Sequence, residues 1–176
     1  MIKIWKNLAF FVLLAIGLAL TLTVFAPSSL AQAQTVIRHA IPNSTFPIAL
    51  ATEVPATMTT VYLSGQVPSV VDENADPNSI AAFGDTKTQT MTVLEKIDEI
   101  LTSLDLTMSD VVKMQVFLVG DPSLDGQMDF AGFMEGYTQY FGTDAQPNLP
   151  ARATMQVARL VNPGWLVEIE VTAVRM

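Results

Sequence analysis

An apolar run free of charge, Leu8 to Ala26, decides how much of this chain is available to fold. Lys3 and Lys6 precede it and the small-residue site Ala31-Gln32-Ala33 follows, the pattern of a secretory leader removed before Gln34. The run also approaches the roughly 20 residues that span a bilayer, so an uncleaved anchor is the alternative. Only in that case is a membrane a partner. Residues 1–33 are therefore read as a signal peptide and residues 34–176 as one domain, since about 143 residues bury one core comfortably and two poorly. The protein is expected outside the cytoplasm, periplasmic or extracellular.

Charge narrows the function classes. Of nine Lys and Arg, two lie in the leader, leaving seven against 17 Asp and Glu, a net charge of −10 for the domain. Nucleic-acid binding needs a basic footprint, and this surface has the opposite sign, so no nucleic-acid partner is expected. With no cysteine, disulfides, thiolate nucleophiles and Cys-ligated metals are all excluded. The one histidine, His39, sits near the new N-terminus, where a catalytic triad or a His-rich metal site is hard to build.

Periodicity supplies the elements. The prolines at 42, 47 and 55 in "IPNSTFPIALATEVPATMTT" predict short or edge strands. Thr59 to Pro68 reads as a strand, with Tyr62, Ser64 and Gln66 on one face and Val61 and Leu63 on the other. A polar loop follows. Its alternating Asp72, Asn74 and Asp76 lack the glycine and glutamate of a calcium loop, since Pro77 and Phe83 stand there. From Asp85 to Leu104, Val93, Leu94, Ile97, Ile100, Leu101 and Leu104 form one helical stripe.

Asp110 to Gly120 predicts a strand with Val112, Met114, Val116 and Leu118 on its inner face. A second helix is expected over roughly Gln127 to Phe141, where Phe130, Phe133, Met134, Tyr137 and Phe141 make an aromatic stripe read as core. Two last strands, about Arg152–Arg159 and Leu166–Val174, are joined by "LVNPGW", expected to be a hairpin loop. The plan is α+β, with two helices on one face of a sheet. The other face is left for water or for another copy of the chain.

Arg152 opens the first of those last strands two residues after Pro150, which is expected to turn its side chain toward a cleft and away from the helix-covered core. It shares a face with Thr154 and Gln156, while Glu168, Glu170 and Thr172 share one on the next strand. Paired as a hairpin, the two strands would bring a guanidinium and a carboxylate to one cleft. An arginine fork suits a substrate carboxylate, and the plain alternative is a surface ion pair.

Four segments, "YLSGQVP" (62–68), "DVVKMQVFLV" (110–119), "PARATMQVARL" (150–160) and "VEIEVTAV" (167–174), resemble the Rid family of reactive-intermediate deaminases, also called the YjgF family. The resemblance runs from about Phe46 to Val174. It implies a single chorismate-mutase-like α+β domain, a mixed sheet with two helices on one face, assembled as a homotrimeric barrel with clefts between subunits. It implies hydrolysis of small 2-imino acids or enamines to 2-keto acids and ammonia, with a small carboxylate-bearing substrate and neither a metal nor an organic cofactor. By the same resemblance Arg152 is the carboxylate-binding arginine and Glu168 the acid near the attacking water. Thr154, two residues beyond the arginine where the family has a cysteine, offers a hydroxyl and a backbone amide. Ser64 and Gly65 line the cleft, and Phe46 stands where the family has a tyrosine. Met134 falls where an asparagine is common. A trimeric binding protein for small carboxylates without catalysis is the alternative.

Overall fold

Strand β4 (Val111–Asp121) organises the sheet because it alternates from Val112 onward: Val112, Met114, Val116 and Leu118 are buried, and Lys113, Gln115 and Phe117 turn the other way. The computed structural model describes residues 35–176. The leader expected over 1–33 lies outside these residues. Around β4 the strand order is β1-β2-β6-β4-β7-β3, built from β1 (Ile37–Ala40), β2 (Ala49–Glu53), β3 (Thr59–Tyr62), β6 (Ala151–Val157) and β7 (Val167–Arg175). The two-residue β5 (Gln127–Met128) pairs only with the end of β4.

Helices α1 (Ile80–Phe83), α2 (Thr86–Ser103) and α3 (Phe130–Tyr137), with 3-10 turns at Met108–Asp110 and Pro122–Leu124, complete the described elements. Helix α2 follows its predicted stripe: Val93, Leu94, Ile97 and Leu101 are fully buried, and Asp85 caps it by accepting from Thr88 N at 2.8 Å. Burying each such aliphatic side chain is worth about 1.5 to 3 kcal/mol. Leu104, expected on that stripe, stays partly exposed because the helix ends there. Helix α3 is shorter than its aromatic pattern. Gln127 and Met128 are taken by β5, and Asp129 caps the helix by accepting from Gly132 N at 2.8 Å. Beyond Tyr137 the chain turns toward Gly142, whose φ of 76° favours glycine. Helices α2 and α3 pack together, and Gly136 lies so close to Thr90 that a Cβ there would overlap its side chain.

The expected hairpin between the last two strands does not form. β6 runs parallel to β4 on one side, and β7 runs antiparallel to β4 on the other, so β4 separates them. The connection over 158–166 therefore crosses the end of β4, held by a buried glutamine. Gln89 Nε2 donates to Gly84 O and Gly164 O, both at 2.9 Å, and its Oε1 accepts from Leu166 N at 2.7 Å. Gly164 lies against Ser79 O, where no side chain fits. Pro163 and Gly164 mark a docked crossing loop.

The result is an α+β domain with a mixed sheet and its main helices on one face, as expected. The prolines at 42, 47 and 55 bound two short strands at one side of the sheet, as predicted, with β1 at the edge. The uncovered face carries Lys113, Gln115, Phe117, Met155, Glu168, Glu170 and Thr172, with Tyr62 79% exposed beside them.

Candidate functional site: an arginine without an anion

Register across β4 decides where each candidate side chain lies. Arg152 and Val171 both stand opposite Met114, Thr154 stands opposite Val116, and all three β4 and β7 neighbours belong to the buried core. Arg152 and Thr154 are thus on the helix-covered face, against the expectation that Pro150 would turn the arginine away from it. Glu168 stands opposite Phe117, on the uncovered face. Adjacent β residues point to opposite sides, so within one chain Arg152 and Glu168 face away from each other. The single cleft expected between them is not formed by one chain.

On its own face Arg152 is held by rings. Its guanidinium carbon is 4.2 Å from the Tyr137 ring centroid, 4.9 Å from Phe133 and 5.6 Å from Phe46. The helical spacing of Phe133 and Tyr137 on α3 puts both rings over β6, so part of the stripe read as core also forms the floor of a cationic site. Phe46, 40% exposed, closes the mouth and stacks on Phe130 at 6.4 Å. Arg152 Nη2 points to Met134 Sδ at 3.2 Å, a weak acceptor, and Nη1 is buried with no partner. Two residues on, Thr154 Oγ1 is also buried without a partner. Ion pairs among the described residues join His39 to Glu53 and Lys87 to Glu135, and Arg152 takes part in neither. The surface ion pair considered for it is not what the fold built.

Burial pulls the Arg152 pKa below the usual arginine value, opposed by the nearby Tyr137. Tyr137 is itself pushed up to about 12, chiefly by burial, with Arg152 and Arg38 working against the shift. Its hydroxyl is engaged, donating to Pro47 O at 2.9 Å. A half-buried cation whose polar neighbours are a thioether and the Tyr137 hydroxyl, itself donating to Pro47 O, is short of a strong acceptor. A carboxylate or similar planar anion supplies it.

The second half of the candidate set gathers on the other face. After Tyr62 the chain pairs Leu63 with Val171 and then Gln66 with Ile169, a one-residue slip that bulges the backbone at Ser64 and Gly65. Glu168 packs on that bulge so tightly that a Cβ on Gly65 would collide with its Oε1. Glycine leaves room there for the carboxylate to lie along the backbone, and a methyl group would push it aside. Glu168 also borders a groove of about 480 Å3 with Arg159, Leu160 and Val161, while a separate cavity of about 310 Å3 opens beside Arg152 between β2 and β6. The candidates therefore form two clusters: Arg152, Thr154 and Phe46 on one face, and Ser64, Gly65 and Glu168 on the other. His39 pairs with Glu53 at 2.7 Å on the exposed edge.

Sequence reasoning passed over Arg38, whose guanidinium donates to Val111 O at 2.9 Å, Leu149 O at 2.8 Å and Ser109 O at 2.8 Å. Its scarcity among seven cations was the available signal, and its place near the new N-terminus argued the other way. It also passed over Tyr137 and Phe133 as ring walls.

This fold, with Arg152 under three rings on one face and Glu168 on a glycine bulge on the other, belongs to a class that comparison with known proteins identifies. Residues 47–175 match the family model described as Endoribonuclease L-PSP. The chain belongs to that family, the Rid or YjgF family. It is 38% identical over 112 residues to a RutC family protein of Sulfurisphaera tokodaii, covering 64% of this chain and 77% of the relative. It is 34% identical over 115 residues to TdcF of Escherichia coli K12, whose name proposes a reactive intermediate deaminase, covering 65% of this chain and 78% of that one. Among solved structures, Escherichia coli TdcF with bound serine superposes with a TM-score of 0.52 at 31% identity, covering 74% of this chain and 93% of that one.

Proposed function

We propose that this protein is an exported Rid-type deaminase that hydrolyses small 2-imino acids or enamines to 2-keto acids and ammonia. Its sites would lie in clefts between the subunits of a homotrimer. The observation that carries the reading is the pair of buried polar atoms on one strand face, Arg152 Nη1 and Thr154 Oγ1, that have no partner among the described residues, none of whose carboxylates pairs with the guanidinium. Folded chains rarely leave such atoms empty, and a bound carboxylate satisfies both.

The two-faced arrangement supports a site shared between copies, and three copies is the number the family resemblance implies. Glu168 and Arg152 cannot serve one substrate from the same chain, but the uncovered, partly apolar face of one copy can carry Glu168 to the Arg152 side of the next. Arg152 then holds the substrate carboxylate, and Glu168 takes a proton from water as the water oxygen bonds to the imine carbon. The C=N electron pair moves to nitrogen, which takes a proton from solvent to give a carbinolamine; Glu168 then returns its proton to that nitrogen, the C–N bond breaks to release ammonia, and the hydroxyl gives its proton to solvent as the carbonyl forms. An imine is already electrophilic, so proximity and one oriented water supply most of the acceleration. The names of TdcF and of its serine-bound structure support a small amino-acid-like ligand. The ribonuclease reading in the family description is opposed by the −10 charge of the domain.

A second reading, a carboxylate-binding protein without turnover, is favoured by one observation: Met134 and Phe46 give the Arg152 side no free polar group besides Thr154 to orient a reacting nitrogen. The test is ammonia release from imines generated in place by an amino-acid oxidase. Release faster than in buffer supports the deaminase. Binding of 2-oxobutanoate with no acceleration supports the second reading, and the absence of both overturns the site.

A further inference from the structure

With no cysteine in the chain, two-electron oxidation of this protein falls first on its methionines. Seven of them fall within the described residues besides Met134, and they are distributed between the core, as Met108 and Met114, and surface positions such as Met91, Met155 and Met176. Met134 differs from all of these in what its sulfur touches. It stands on α3 between Phe133 and Tyr137, only partly buried, and its Sδ accepts from Arg152 Nη2 at 3.2 Å.

We propose that Met134 is an oxidation site that closes the Arg152 clamp. A thioether is a weak acceptor, so the reduced side chain competes poorly with a carboxylate for the guanidinium. A peroxide, or a hypohalous acid, transfers one oxygen to the sulfur. The sulfur lone pair forms the new S–O bond as the O–O bond of the peroxide breaks; sulfur is oxidised by two electrons, and the departing peroxide oxygen is reduced and leaves as water. The sulfoxide oxygen is a strong acceptor on a side chain with three rotatable bonds. It can settle against Nη2 and reach toward Nη1, which has no other partner. The clamp then carries an acceptor of its own, and a substrate carboxylate must displace it. Desolvation of the cation, which already lowers the Arg152 pKa, favours that internal contact. The modification is reversible by a methionine sulfoxide reductase.

This rests on the reading of Arg152 as a carboxylate clamp, and the experiment separates the two. The purified protein and the variant Met134→Leu are each titrated calorimetrically with 2-oxobutanoate before and after limited hydrogen peroxide treatment. Oxygen addition at each methionine is followed by peptide mass spectrometry, and part of each oxidised sample is treated with methionine sulfoxide reductase and a thiol reductant. The expected result is an affinity loss of about tenfold or more in the wild-type chain, in step with oxygen at Met134, corresponding to one charge-assisted hydrogen bond. Reductase should restore it, and the ratio of affinities before and after peroxide should stay near one in Met134→Leu. Full oxidation at Met134 with unchanged affinity overturns the switch and leaves the clamp standing, as does an equal loss in Met134→Leu. No binding by the untreated wild-type protein overturns the clamp reading and the switch with it.

Discussion

Two arginines flank Tyr137, and the fold treats them in opposite ways. Arg38 spends its guanidinium on three backbone carbonyls, tying β1 to the start of β4 and to the segment before β6. Arg152, buried more deeply against three rings, donates to a single thioether and leaves Nη1 empty. Burial lowers the pKa of both. The cation whose donors are filled by the chain closes the structure, and the one with a donor left open is the one proposed to hold a substrate carboxylate.

Substitution should separate the two roles, and the largest effect belongs to Arg38. Arg38→Ala strands three carbonyls and should cost about 3 to 5 kcal/mol of folding free energy, read from urea denaturation. Affinity for 2-oxobutanoate in the fraction still folded should hold. Arg152→Ala should do the reverse. Stability stays within about 1 kcal/mol of wild type, and carboxylate binding weakens by about 2 to 4 kcal/mol, read by calorimetry. Arg152→Lys should fail nearly as badly, because a point charge cannot make two parallel bonds to a carboxylate. Equal stability losses in the Arg38 and Arg152 variants would erase the contrast.

The tyrosine between them gives a pH test. Tyr137 is raised to about 12 from its ordinary value of 10.0, so the folded state holds its proton more tightly than the unfolded state does. The stability this contributes is complete below pH 10 and is lost as pH rises through about 12, a fall of about 2 to 3 kcal/mol. In Tyr137→Phe this fall should be absent, and the variant should lose about 1 kcal/mol at neutral pH with the bond to Pro47. Denaturation midpoints of both proteins between pH 9 and 12 check it.

The smallest effect probes the other face. In Gly65→Ala the new methyl displaces the Glu168 carboxylate, so turnover of imines should drop about tenfold while 2-oxobutanoate affinity hardly moves. Loss of affinity in step with turnover would place the bulge in carboxylate binding instead.

The elements and their faces were legible because they depend on local periodicity. The alternation of β4, the stripe of α2 and the shared face of Arg152 and Thr154 all read directly from spacing. Strand order was not, because pairing is decided by burial between segments far apart in the chain. Pro163 and Gly164 have the chemistry of a tight turn, and nothing local to them reveals that Gln89, some 75 residues earlier, holds the loop open across β4. That one misplacement carried the site with it: a hairpin allows Arg152 and Glu168 a common face, whereas their registers on β4, Arg152 beside Met114 and Glu168 beside Phe117, put them on opposite faces. Arg38 was hidden for a similar reason, since its three acceptors come from segments 71 to 111 residues away.

The opposition of Arg152 and Glu168 across one sheet makes a demand that a single mixing experiment tests. Arg152→Ala and Glu168→Gln chains, each expected to be inactive alone, are mixed in equal amounts, unfolded and refolded together, and assayed for ammonia release from imines generated in place. If each cleft draws its arginine from one subunit and its glutamate from the next, random assembly restores both wild-type residues in about a quarter of clefts. Activity should return to about that fraction of wild type. Mixed oligomers, verified by mass, that stay as inactive as either parent would contradict a site shared between subunits.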